Sequence, residues 1–196
     1  MMIKMGEMMK KKEDPRVIRT RNLLMTALTD LIQEGRYEEI SVSLIVRNAG
    51  VNRSTFYLHF LDKEDIIEKL ESHILTELKT ALYYPNYHYS KALRAFKKDG
   101  TPIKSVIALF QHINKYKQLY KYLLRINTFH AKFIETIKNE VLKFHSKPWE
   151  AIYMASGITG VITRWVENEH GESVENMGLL LTNVILFPLG AFNEDI

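Results

Sequence analysis

The stretch Ser41 to Lys63, SVSLIVRNAGVNRSTFYLHFLDK, decides the fold reading. Two short runs, 41–48 and 52–59, flank Ala49-Gly50-Val51. Gly50 suits a sharp turn between two helices, because it takes a positive φ without the clash that a Cβ brings. Val42, Ile45, Val46, Ala49, Val51, Phe56 and Phe60 recur at spacings that close a small core against a preceding helix. Left facing outward are Asn52, Arg53, Ser54, Thr55, Tyr57 and His59. This set offers donors and no carboxylate. A helix entering the major groove needs that, since base edges and phosphates are read by donors and repel acids.

Working outward, the pattern stays helical. Val17, Ile18, Leu24, Ala27, Leu28, Leu31 and Ile32 follow three- and four-residue spacing after Asp14-Pro15, an N-cap and first-turn pair, and Gly35 ends the run. Asp62 is placed to cap a longer amphipathic helix carrying Ile66, Ile67, Leu70, Ile74, Leu75 and Leu78. Residues 83–101 break the pattern and read as a connection with a short helix at 90–98. Helical spacing then predicts segments at 102–113, 116–124, 127–145, 147–168 and 173–190. No strand alternation or internal repeat is present. The expected fold is all-α: a flexible arm over 1–14, a helix-turn-helix DNA-binding domain over 15–60, and a C-terminal effector-binding and dimerisation bundle over 61–196.

The run ISVSLIVRNAGVNRSTFYLHFLDKEDII resembles the helix-turn-helix of the TetR family of bacterial transcriptional regulators. The resemblance covers about residues 15–70. It rests on Ile45, Ala49-Gly50-Val51, Thr55-Phe56-Tyr57, His59-Phe60 and Lys63-Glu64. Val46 and Asn52 depart from the usual pattern, where Ala and Ser or Thr are common; Asn52 is still a good N-cap. The resemblance implies three helices for DNA, a fourth as linker, and a ligand-binding bundle that dimerises. It places Ser43 and Arg47 near phosphate, and Arg53, Ser54 and Thr55 at base edges, with Asn52 and Arg53 shaping the operator read. Tyr57 and His59 would meet phosphates or groove walls. Lys63 would pair with phosphate at a helix N-terminus. Plainer roles stand beside these: Tyr57 half in the core, His59 as a helix cap, Arg47 as a solvated charge.

The chain has 196 residues, 46% of them apolar, and no cysteine. The missing thiols exclude a disulfide scaffold, a thiolate metal site and a cysteine nucleophile. The formal net charge of +4 is uninformative as a total. By segment it is +3 over 1–60, zero over 61–100, +6 over 101–145 and −5 over 146–196. The N-terminus lacks the apolar run of a secretory signal, and no uncharged stretch reaches the ~18 residues of a spanning helix. The expectation is a cytoplasmic protein. The methionine-rich N-terminus with Lys10-Lys11-Lys12 reads as a solvated tail or as a basic arm touching DNA.

A single helix-turn-helix reads few base pairs, so a homodimer is expected, reading palindromic half-sites ~34–36 Å apart or a multiple of that. The expected interface lies on the last two helices: Ala155, Gly157, Gly160, Val161, Trp165, Leu180, Val184 and Phe187. The C-terminal part also resembles a TetR-like subgroup containing regulators and a co-activator of dihydroxyacetone metabolism. An effector pocket lined by Phe110, Tyr120, Arg125, Phe129, Phe133, Trp149 and Tyr153 is expected, although each aromatic suits plain core as well. The +6 segment is either a solvated face or an anion site around Arg125. No histidine pair has metal-ligand spacing with carboxylates nearby, and no nucleophile, Walker or dinucleotide motif occurs. No catalytic residue, metal or cofactor is expected. The partners called for are a double-stranded DNA operator, a second copy and an unknown small-molecule effector, with no membrane. The function expected is a ligand-released repressor, or a co-activator of the same fold that works through a partner protein.

Overall fold

The structure is a computed structural model that describes residues 14–35, 37–83, 87–168 and 171–187. The described residues form α1 (Pro15–Gln33), a 3-10 turn (Tyr37–Glu39), α2 (Val42–Ala49), α3 (Arg53–Tyr57) and α4 (Lys63–Leu82). They continue as α5 (Tyr89–Asp99), α6 (Lys104–Lys115), α7 (Lys117–Leu123), α8 (Asn127–Val141), α9 (Pro148–Glu167) and α10 (Val174–Leu186). There is no strand among them. The expected arm over 1–14 lies outside the described residues except for Asp14. The helix expected over 173–190 is described only to Leu186.

Side-chain caps set the early boundaries. The carboxylate of Asp14 accepts the Arg16 N–H at 2.8 Å, Ser41 accepts the Leu44 N–H at 3.2 Å, and Asp62 accepts the Asp65 N–H at 2.8 Å. Each satisfies a donor the first helical turn leaves free. Gly50 closes α2 at φ 66°, in the left-handed region where a Cβ costs ~1–2 kcal/mol. Leu24, Leu28, Ile45, Phe56, Phe60 and Ile66 are buried in the shared core, with α1 packed on α2 and α2 on α3. The inward face of α4 then runs on through Leu70, Ile74 and Leu78 into the larger bundle.

Within that bundle α8 lies against α9, and α6 against both α4 and α10. At the α6–α10 crossing, Gly178 is buried so close to Ile107 that a Cβ there would collide with Ile107 Cδ1. The Thr182 hydroxyl accepts the Ile103 N–H at 3.1 Å, tying the start of α6 to α10. Between α4 and α8, Lys132 reaches the buried Glu71 carboxylate at 3.0 Å.

The small unit is docked on this bundle by specific contacts. Gln33, at the end of α1, donates through Nε2 to the Lys115 carbonyl at 3.1 Å, and its Oε1 accepts the Gln118 N–H at 3.1 Å. Its amide thus spans the junction of α6 and α7. Beside it Tyr37 stacks on Tyr122 with ring centroids 3.7 Å apart.

His112 is buried at the same end of α6. Its Nε2 lies 2.9 Å from the Tyr120 hydroxyl, and its Nδ1 lies 3.9 Å from Glu77. Burial lowers its pKa from 6.5 to about 4, against the opposing pull of Glu77. The unfolded chain therefore takes up a proton near pH 6.5 that the folded chain refuses until about 4. The contribution of His112 is complete above pH 6.5 and is lost as pH falls toward 4. Urea unfolding at stepped pH should show the stability gap between wild type and His112→Leu narrowing across that window. A constant gap would contradict the burial account.

Candidate nucleic-acid interface and ligand cavity

The first turn of α3 is organised by one side chain. Asn52 Oδ1 accepts the Thr55 N–H at 2.8 Å and the Ser54 and Thr55 hydroxyls at 2.7 Å each. Arg53 projects from the same turn, and its guanidinium lies 5.8 Å from the ring centre of Tyr57, with a hydrogen bond to the Tyr57 hydroxyl at 3.3 Å. Asn52, Arg53, Ser54 and Tyr57 are exposed, whereas Thr55 and His59 are half-buried. Phe56 is fully buried beneath them and packs against Tyr57 edge-on at 5.4 Å. The face is a cation, an amide, two hydroxyls and a phenol on a rigid apolar base. It can donate to base edges and phosphates. Ser43 and Arg47 are exposed on α2.

Lys63 is placed differently from the expectation. Its ammonium donates to the Ile40 carbonyl at 3.3 Å and sits 4.8 Å from the centre of the Tyr37 ring. A half-buried lysine with a carbonyl and an aromatic face at hand turns inward, onto the turn that joins α1 to α2. Two leucines flank this face. Leu58 and Leu61 are each 81% exposed, at the end of α3 and just before α4. The signal was available, since Leu58 follows Ser54 by four residues and so shares its helix face. Arg16 and Arg19 are likewise exposed at the start of α1.

The expected effector pocket is corrected by the packing. Phe110, Tyr120, Phe129 and Phe133 are fully buried and fill space against one another; Tyr120 and Phe133 are 5.6 Å apart and Phe129 and Phe133 6.2 Å. Trp149 and Tyr153 point away from the core, 87% and 71% exposed. Arg125 is exposed and faces Glu167 at 4.0 Å. None of the seven lines the cavity found in the bundle, of about 60 Å³, which lies between the end of α4, the start of α6, α8, α9 and α10. Val106, Leu109, Ile137, Met154 and Leu181 form much of its wall, and Glu140 is its charged member.

The expected interface residues also divide. Gly157, Gly160, Leu180 and Val184 are exposed and Val161 is half-buried. Ala155 and Trp165, by contrast, belong to the protomer's own core. Trp165 stacks edge-on against Phe110 at 5.1 Å, and its indole N–H donates to the Glu172 carbonyl at 2.7 Å. Phe187 is half-buried beside Phe96, with ring centres 6.1 Å apart. Among the described residues no group of histidine and acidic side chains is placed to hold a metal, and no helix is long and apolar enough to cross a membrane.

The local geometry makes Asn52 a test of how α3 is built. Asn52→Ala should cost about 1 kcal/mol of stability in urea unfolding, because three donors lose their acceptor. Asn52→Asp should restore it to within a few tenths. Equal losses in both variants would refute the capping role.

Comparisons with known proteins bear on the same segments. The sequence profile for bacterial regulatory proteins of the tetR family matches residues 24–70, and a transcriptional regulator C-terminal region profile matches 100–186. The HTH-type regulator YxbF of Bacillus subtilis is 39% identical over 67 residues, 33% of this chain and 18% of YxbF. The dhaKLM operon transcriptional activator DhaS of Lactococcus lactis is 34% identical over 59 residues, 30% of this chain and 32% of DhaS. The matched stretches thus span a third or less of those curated relatives. A solved structure of a dihydroxyacetone kinase operon activator DhaS superposes with a TM-score of 0.64 at 20% identity, covering 86% of this chain and 95% of that one. The fatty acid degradation regulator FadR of Bacillus halodurans gives 0.61 at 20% identity, covering 92% and 99%. These structural likenesses show the fold. With both profiles matched in order along one all-helical chain, the protein belongs to the tetR family, a family of DNA-binding transcriptional regulators rather than of enzymes.

Proposed function

We propose that this chain is a cytoplasmic, homodimeric regulator that binds a palindromic operator and is released from it by a small molecule in the bundle. The observation that carries the reading is the first turn of α3. Arg53, Ser54 and the Asn52 cap stand exposed there on a buried Phe56 base. The long α4 supplies the link, because it starts in the DNA-reading unit and ends at Leu82 on the cavity wall. α6 is a second link, with Ile103 at the cavity and Lys115 on Gln33. A ligand that prefers one arrangement of α4 and α6 shifts the population toward it and changes the separation of the two reading heads.

Dimerisation draws support from α9 and α10. Trp149, Tyr153, Gly157, Gly160 and Arg164 recur at four- and three-residue steps as an exposed stripe, and Leu179, Leu180 and Val184 are exposed on α10. Two tryptophan and tyrosine rings beside bare glycines suit close helix packing by a second copy. Trp149 and Tyr153 are thereby assigned to the partner face. A second reading has one specific support: the relative DhaS is named an activator. On that reading the same DNA contacts recruit rather than block, and a stable hetero-partner carries the effector.

The test uses duplexes selected from a random pool by the purified protein. Log affinity should fall with log salt at a slope of about −0.9 per phosphate neutralised. Arg53→Ala should weaken binding by about 1–3 kcal/mol with an unchanged unfolding curve. Unchanged affinity in Arg53→Ala would contradict the assignment of α3.

A further inference from the structure

Leu58 stands 81% exposed at the end of a helix whose other outward side chains, Arg53, Ser54 and Tyr57, are polar. Its backbone is held in place. The Leu58 N–H donates to the Ser54 carbonyl at 3.2 Å, and the next two N–H groups, of His59 and Phe60, both donate to the Phe56 carbonyl at 2.9 Å. Phe56 and Phe60 anchor the same turn in the core. A side chain on so fixed a frame loses little order when another surface meets it.

The polar groups of this turn are engaged with one another. The Ser54 and Thr55 hydroxyls both donate to Asn52 Oδ1, and the Arg53 guanidinium donates to the Tyr57 hydroxyl. Leu58 shares the face of Ser54 and adds to it an aliphatic side chain with no polar atom. In the major groove the apolar group that a base presents is the C5-methyl of thymine; the other bases show donors and acceptors there. No carboxylate stands between Arg53 and Leu58 to repel the phosphates around that methyl group. A second copy does not call for Leu58, since α9 and α10 carry an exposed apolar face of their own.

We infer that Leu58 packs on the C5-methyl group of a thymine in the bound duplex and sets specificity at that base pair. The inference rests on the proposed role of α3 as the element that enters the major groove. Deoxyuridine is the probe, because it pairs as thymidine does and lacks that methyl group alone. Each thymidine is replaced in turn in a duplex that the purified full-length protein selects from a random pool. At one position or more, the replacement should weaken binding about fourfold, the worth of one buried methyl group. In Leu58→Ala the same replacement should change affinity by less than about 1.5-fold, because the partner of the methyl group is already gone. Leu61→Ala removes an equally exposed leucine that lies beyond the end of α3, and it should keep the full penalty. A wild-type protein with no sensitive position, a penalty that survives Leu58→Ala, or one that Leu61→Ala also removes would each overturn the inference. The scan of the wild-type protein needs no variant, so it decides the matter even where Leu58→Ala does not fold. Insensitivity to deoxyuridine beside a clear loss in Arg53→Ala contradicts the role of Leu58 alone; insensitivity to both contradicts the placement of α3 in the groove.

Discussion

The docking of the small helical unit on the bundle, through Gln33 and the Tyr37–Tyr122 stack, is the constraint on which the rest of the molecule depends. A five-residue reading helix has no positional accuracy of its own. It gains it from the buried Phe56 and Phe60 and from packing on α2, which lies on α1, and α1 is fixed to the α6–α7 junction by both ends of one amide. A stacked aromatic pair adds about 0.5–1.5 kcal/mol beyond its buried area. The amide adds direction, since both its donor and its acceptor are matched to backbone groups. Because α4 is shared between the two units, a displacement at Leu82 has a rigid path to Lys63.

Charge follows the same division of labour. In the +6 segment Lys115, Arg125, Lys132, Lys138 and Lys143 each face a carboxylate, and some of these pairs cross between helices. Lys132 on Glu71 joins α8 to α4, and Lys115 on Glu77 joins α6 to α4. Such pairs at partly exposed sites contribute modestly to stability but define geometry. The basic side chains left outward in the reading unit, Arg16, Arg19, Arg47 and Arg53, are those that phosphate would meet. His112 and Tyr120 complete the inner pattern as a polar pair closed off from water.

The reading unit was legible in sequence because local chemistry dictates it. Asp14, Ser41, Asn52 and Asp62 each cap a helix, and Gly50 supplies the left-handed turn. These are short-range effects that a string of residues carries on its face. The bundle was less legible because periodicity tells which residues share a face but not which face meets the core. Ala155 and Trp165 suit a partner face by pattern yet are internal. Trp149 and Tyr153 suit a pocket by type yet are external. Aromatic residues serve a core, a cavity and an interface equally well, so composition cannot separate the three. The cavity draws its wall from five helices, and no short-range pattern in the sequence brings residues from so many elements together.

The chain has no cysteine, so Leu61→Cys places one spin label per protomer at an exposed site beside α3. In the proposed dimer, pulsed electron resonance on that protein measures the separation of the two reading heads directly. The account predicts one narrow inter-chain distance, and a broadened distribution when Gln33→Ala and Tyr37→Ala are added. An absent inter-chain distance, or a width that those two substitutions leave unchanged, would contradict the claim that docking on the bundle sets where the recognition helices stand.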